Sequence, residues 1–128
     1  MKIIKIIAAA AGTSAVALGA FGAHALRPLL TERGSLDTWQ TASIYHLLHA
    51  VAILAAAVAI GDQAAPLRAR GWKRAAYCWA AGITLFSGSL YVLALGGPRW
   101  LGPITPLGGV LLIAGWFLVA FTSRRNAD

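Results

Sequence analysis

Only four acidic residues occur in this chain: Glu32, Asp37, Asp62 and Asp128. All lie outside its apolar runs, so the paired intramembrane carboxylates on which many proton-coupled pumps rely are missing. A single cysteine, Cys78, excludes an internal disulfide and leaves the redox compartment open. There is no CxxC pair, Walker loop, GxGxxG turn or GxSxG elbow, which removes the common phosphate, dinucleotide and nucleophile-elbow chemistries. Charge of any sign is scarce: 12% of 128 residues, against about 25% in a soluble domain. With 59% hydrophobic residues and a mean hydropathy of +0.70, the composition is that of a membrane protein. The chain, 1–128, is expected to form one domain.

What is present falls into four intervals free of Asp, Glu, Lys and Arg: 6–26, 38–61, 75–98 and 100–123. They are 21, 24, 24 and 24 residues long. About 20 apolar residues cross a hydrocarbon core of roughly 30 Å, and backbone groups in lipid must bond within their own segment. The expectation is an all-α integral membrane four-helix bundle with helices near 3–26, 38–61, 74–96 and 105–123. Lys2, Lys5 and Ala23-His24-Ala25 have the look of a cleavable signal, but the apolar region exceeds the usual 7–15 residues, so a retained span is expected. Arg27-Pro28 reads as the end of the first span, with a short interfacial turn around Leu29 and Leu30. Asp37 with Gln40 reads as a capping box opening the second, Trp39 as an interfacial aromatic and Gly61 as its C-terminal glycine. Gly96-Gly97-Pro98 closes the third, and Thr105 with Pro106 opens the fourth as N-cap and first helical residue.

The cations set an expected orientation. Lys2, Lys5, Arg68, Arg70, Lys73, Arg74, Arg124 and Arg125 fall on one side, and Arg27, Arg33 and Arg99 on the other, eight against three. By the positive-inside rule both termini are cytoplasmic, in a bacterial inner membrane. The net charge of +7 lies in short loops beside apolar runs. Arg68, Arg70, Lys73 and Arg74 therefore point to anionic lipid headgroups, and no soluble basic face exists for nucleic acid.

Two groups of residues stand out inside the spans. Ala11, Ala15 and Gly19 make a ladder of small residues at helical spacing, and Gly22, Gly88, Gly108 and Gly115 are further sites of close helix approach. A polar group gathers toward the expected outer side: His24, Tyr45, His46, His49, Ser87, Ser89 and Tyr91. His46 and His49, three apart, share one helical face, and polar groups at that depth need partners. The plain interpretation is neutral histidines hydrogen-bonded to neighbouring helices. The alternatives are a metal site, haem, a quinone or a proton relay. Three imidazoles can hold Zn²⁺ or Cu²⁺ with a fourth position open, but His24 lies at a different depth from His46. No acid is available to orient a Ser–His pair, so nucleophilic catalysis is not expected. No cofactor is required by any motif.

Gly19-Ala-Phe-Gly22-Ala-His24-Ala-Leu26, Trp39-Gln-Thr-Ala42, Tyr45-His-Leu-Leu-His49-Ala, Phe86-Ser-Gly-Ser-Leu-Tyr91 and Ile104-Thr-Pro106-Leu-Gly108-Gly109, with Gly115-Trp116, stand in order along nearly the whole chain. In these motifs the chain resembles the small bacterial membrane proteins of domain-of-unknown-function family 423. The resemblance implies a four-helix inner-membrane protein and no particular activity. It places His24 and His49 at motif histidine positions and makes His46 an addition. By that resemblance, His24 and His49 with Ser87, Ser89 and Tyr91 form the favoured constellation. The functional expectation is a non-catalytic structural or accessory membrane component that self-associates or joins a larger membrane complex. A small-molecule, metal or cofactor binder and a minimal transporter or channel subunit stand as alternatives.

Overall fold

A computed structural model describes residues 2–61 and 66–124. Asp62, Arg125 and Asp128 lie outside the described residues. Four long helices carry the fold: α1 (Lys2–Ala23), α3 (Leu36–Gly61), α4 (Pro66–Ala94) and α5 (Ile104–Arg124). A short helix α2 (Arg27–Glu32) joins the first two, and one 3-10 turn (Arg99–Leu101) precedes the last. No strand occurs among the described residues. Each charge-free interval has become a helix long and apolar enough to cross a membrane.

The helix ends differ from expectation for local reasons. The first span stops at Ala23, and Arg27-Pro28 starts α2 instead of ending α1. Proline is harmless there, because the first turn of a helix leaves its N–H groups unpaired anyway. Asp37 is not the N-cap of α3. The helix already begins at Leu36, and Ser35 in front of it sends its hydroxyl 2.7 Å to Ala94 O. Helix α4 starts at Pro66, so Arg68, Arg70, Lys73 and Arg74 sit on its first turns and not in a loop. Charge marks where lipid ends, not where a helix ends. Thr105 is inside α5, and its hydroxyl pairs with Ser89 Oγ at 2.6 Å, leaving no cap role.

Two of the connections turn on left-handed glycines. Gly34 has φ +66° and Gly96 φ +90°. Behind each, paired bonds close the preceding helix: Gly34 N–H to Thr31 O with Ser35 N–H to Leu30 O, and Gly96 N–H to Leu93 O with Gly97 N–H to Val92 O. This is the Schellman arrangement, which an L side chain at the glycine position would strain.

The long helices pack in chain order, α1 on α3, α3 on α4, α4 on α5. Helices α3 and α4 are central, with 39% of each span buried, against 17% for α1 and α5. The size pattern is the reverse of a soluble bundle. Small residues face inward on α3 (Ala42, Ala50, Ala52, Ala56, Ala57), and Leu47, Leu48, Val51, Leu54 and Val58 face outward. Leu107, Val110, Ile113, Phe117 and Phe121 give α5 a matching outer face. Lipid gives no hydrophobic reason to bury large side chains, whereas small ones let backbones approach and make dispersion contacts.

Two apolar clusters result. One, toward the basic helix ends, holds Ile4, Ala8, Ile53, Ala56, Ala76, Trp79, Ile83 and Leu112. The other, at the opposite end, holds Leu30, Trp39, Ala42, Tyr91 and Ala94. Trp39 was expected at the membrane interface, but it is 3% exposed. Its indole N–H reaches Leu18 O at 2.9 Å and its ring leans on Tyr91.

Candidate functional site

Between the two apolar clusters lies a layer of polar side chains, set there by residues from all four long helices. Helix α3 carries His46 and His49, both buried. Ser14 comes from α1, Ser87 and Tyr91 from α4, and Trp116 from α5.

His46 bridges three helices. Its Nε2 lies 3.2 Å from Ser14 Oγ and its Nδ1 3.0 Å from Tyr91 Oη. Ser14 sends its one hydroxyl proton back to Ala10 O at 2.8 Å, so toward the ring it accepts. His46 therefore carries its proton on Nε2 and accepts from the Tyr91 phenol on Nδ1. Ser43 Oγ lies 3.5 Å from the same phenol.

His49 has the opposite tautomer. Its Nδ1 faces Tyr45 O at 2.7 Å, and a carbonyl only accepts, so Nδ1 bears the proton. Nε2 then accepts from the Trp116 indole N–H at 3.1 Å. The His49 ring also meets Trp79 and Trp116 with centroids 6.3 and 6.0 Å away, and Tyr45 stacks nearly parallel to it at 6.2 Å. All four ring nitrogens of the two histidines are thus occupied by groups of the chain.

The serines act as clasps. Ser87, fully buried, donates to Ala42 O at 2.8 Å and ties α4 to α3. Ser89 donates to Phe86 O at 2.9 Å and is hydrogen-bonded to the Thr105 hydroxyl at 2.6 Å, which ties α4 to α5. A mid-membrane hydroxyl left without an acceptor is costly, and each of these has one.

His24 does not join the layer. It is exposed in the turn after α1, outside any helix. The constellation of His24 and His49 with Ser87, Ser89 and Tyr91 is therefore not assembled, and the histidine that meets Tyr91 is His46, with Ser14 on its other side. Among the described residues no group of three His, Cys, Asp or Glu side chains is placed to hold a metal ion. Tyr45 is on the outward face, its ring against Phe86 at 5.0 Å. Ser14 and Trp116 were not expected in the site. Ser14 is 32 residues from His46 in sequence, and the partner of Trp116 is 67 residues away.

The small residues divide in two. A side chain at Gly22 would collide with the Trp39 indole, one at Gly115 with the Trp79 indole, and one at Gly108 with the backbone of Phe86. Ala15 is buried and Ala11 packs against the core. At Gly19 and Gly88 an added Cβ meets nothing within 4 Å, so these two hold no close approach within the chain. Of the four cations read as headgroup contacts, Arg70, Lys73 and Arg74 are exposed; Arg68 is half-buried, with an unpartnered Nε.

No solved structure matches the chain. A membrane protein of Staphylococcus aureus (strain bovine RF122 / ET3-1), named for the uncharacterised family UPF0382, is 40% identical over 99% of both chains. The UPF0382 membrane protein YwdK of Bacillus subtilis (strain 168) is 39% identical over 98% of both, and one from Haemophilus influenzae is 39% identical over 94% of this chain and 92% of its own. A family profile described as a protein of unknown function, DUF423, matches residues 18–109, the stretch that holds both histidines, Ser87, Ser89, Tyr91 and Gly108. The chain is a member of the DUF423 family of membrane proteins.

Proposed function

We propose that this protein is a structural or accessory component of the bacterial inner membrane, without catalytic activity of its own. The observation that supports it most is the saturation of His46 and His49. A ligand for metal or a general base needs a free lone pair. The lone pair of His46 is taken by the Tyr91 phenol and that of His49 by the Trp116 indole. These rings serve as ties between helices. Association with a second copy or with a larger membrane complex uses outward faces, where Gly19 and Gly88 leave room for another helix. Both termini lie in the cytoplasm, with Arg70, Lys73 and Arg74 against anionic headgroups.

The experiment is gentle purification from the native membrane, followed by native mass spectrometry and elemental analysis. A defined oligomer or a stoichiometric partner protein is expected. A strict monomer with no co-purifying protein counts against the reading. A stoichiometric metal that disappears in a His46→Ala/His49→Ala variant would replace it with a binding function.

A further inference from the structure

Two indole donors lie beside His49, and only one of them has an acceptor. Trp116 holds His49 Nε2 at 3.1 Å. Trp79, 1% exposed, has an indole N–H with no partner, although its ring lies 6.3 Å from His49 and 4.8 Å from Trp116. The other nitrogen of His49 is already spent on Tyr45 O. The cluster is one acceptor short, and a sealed, unpaired N–H is rare in protein interiors.

The outward side of this cluster is that of Trp116 and Tyr45. Trp79 is enclosed, whereas Trp116 is 52% exposed on the outward face of α5. Tyr45, on the outward face of α3, has a phenol with no hydrogen-bond partner among the described residues. The half-exposed Trp116 indole, its N–H turned in to His49, and the outward Tyr45 O–H thus flank His49, with the Tyr45 and Phe86 rings providing flat apolar surface.

We propose that this strip binds a flat, lipid-soluble carbonyl compound, of which an isoprenoid quinone ring is the type. Its carbonyl oxygen accepts from Trp116 and a second oxygen accepts from Tyr45. His49 Nε2 is thereby released to accept from Trp79, and the deficit is filled. The depth favours a mobile compound over a phospholipid ester. Trp116 is eight residues from Arg124, about 12 Å along the helix, near the middle of α5. Ester groups lie at the margins of the roughly 30 Å core.

The test uses the full chain, labelled with ¹⁵N-tryptophan, in nanodiscs of synthetic diester phospholipid. A short-tailed benzoquinone is titrated, with the same tail on benzene as the control. Indole peaks are assigned by their loss in Trp79→Phe and Trp116→Phe. The quinone should move the Trp79 indole proton downfield and saturate, and the benzene control should not. Tyr45→Phe should weaken the midpoint about fivefold. In Trp116→Phe, a half-exposed position, the Trp79 peak should start downfield and stay there. No saturable movement, or equal movement with the benzene control, overturns the proposal. A Trp79 peak that is downfield in diester lipid and returns in ether-linked lipid assigns the acceptor to the phospholipid and also overturns it.

Discussion

The Trp39 indole fills the space where a side chain on Gly22 would stand, and through that notch its N–H reaches Leu18 O at 2.9 Å. Trp79 fits Gly115 in the same manner on the other side of the molecule, but its N–H finds no acceptor. The two central helices each lodge a tryptophan in a glycine notch of the outer helix beside them. One notch ends in a hydrogen bond and the other does not.

Replacing each indole by phenylalanine should separate these cases. Trp39→Phe loses a satisfied hydrogen bond, and about 1 kcal/mol of stability should go with it. Trp79→Phe removes an unpaired donor along with some packing, and should cost less than Trp39→Phe. Reversible unfolding in mixed micelles measures both.

His46 and Tyr91 should be coupled. In a double-mutant cycle of His46→Ala and Tyr91→Phe, the interaction energy should be favourable, on the order of 0.6 kcal/mol as for other intramembrane hydrogen bonds. Each single variant should destabilise. His24→Ala, at an exposed turn, should leave stability within about 0.5 kcal/mol of the parent. A His24→Ala loss as large as that of His46→Ala would contradict the placement of His24.

The glycines should sort by what lies opposite them. Gly108→Ala drives a methyl into the Phe86 backbone, and backbone cannot yield as a side-chain tip can. It should cost about 1–3 kcal/mol. Gly19→Ala and Gly88→Ala enter open space and should be neutral or slightly stabilising, since alanine favours helix over glycine by about 1 kcal/mol in the interior. The same unfolding assay reads all three.

Orientation is open to a direct chemical test. In a Cys78→Ala background, Arg70→Cys should react with an impermeant thiol reagent only after the cytoplasmic face is opened, and Glu32→Cys should react in intact spheroplasts. Both positions are exposed at their helices. The reverse pattern would overturn the proposed topology.

The spans were legible because a missing charge is a strong signal in a bilayer, where each ionised side chain costs several kcal/mol. Helix ends were less so. Arg68, Arg70, Lys73 and Arg74 stand in front of the third charge-free run, but nothing in water prevents a helix from including them, and α4 starts at Pro66. In the site, His46 and His49 stood out as polar residues in an apolar stretch. Ser14 did not, because a helix serine can satisfy itself on its own backbone, and Ser14 does so with Ala10 O. That it also receives His46 depends on how α1 rotates against α3, a matter of packing between helices. Trp116 was masked similarly: an aromatic in a membrane helix has no sequence mark that distinguishes a lipid contact from a histidine partner.

The chain-order packing of the long helices bears on how the protein is made. Every large interface joins a helix to the one synthesised next to it, so each span meets its main partner as soon as both have left the insertion machinery. Interfaces between neighbours in sequence need little loop closure and form quickly. The bond from Trp116 to His49 skips over α4. It can close only after the final span is in place, and so marks the end of assembly.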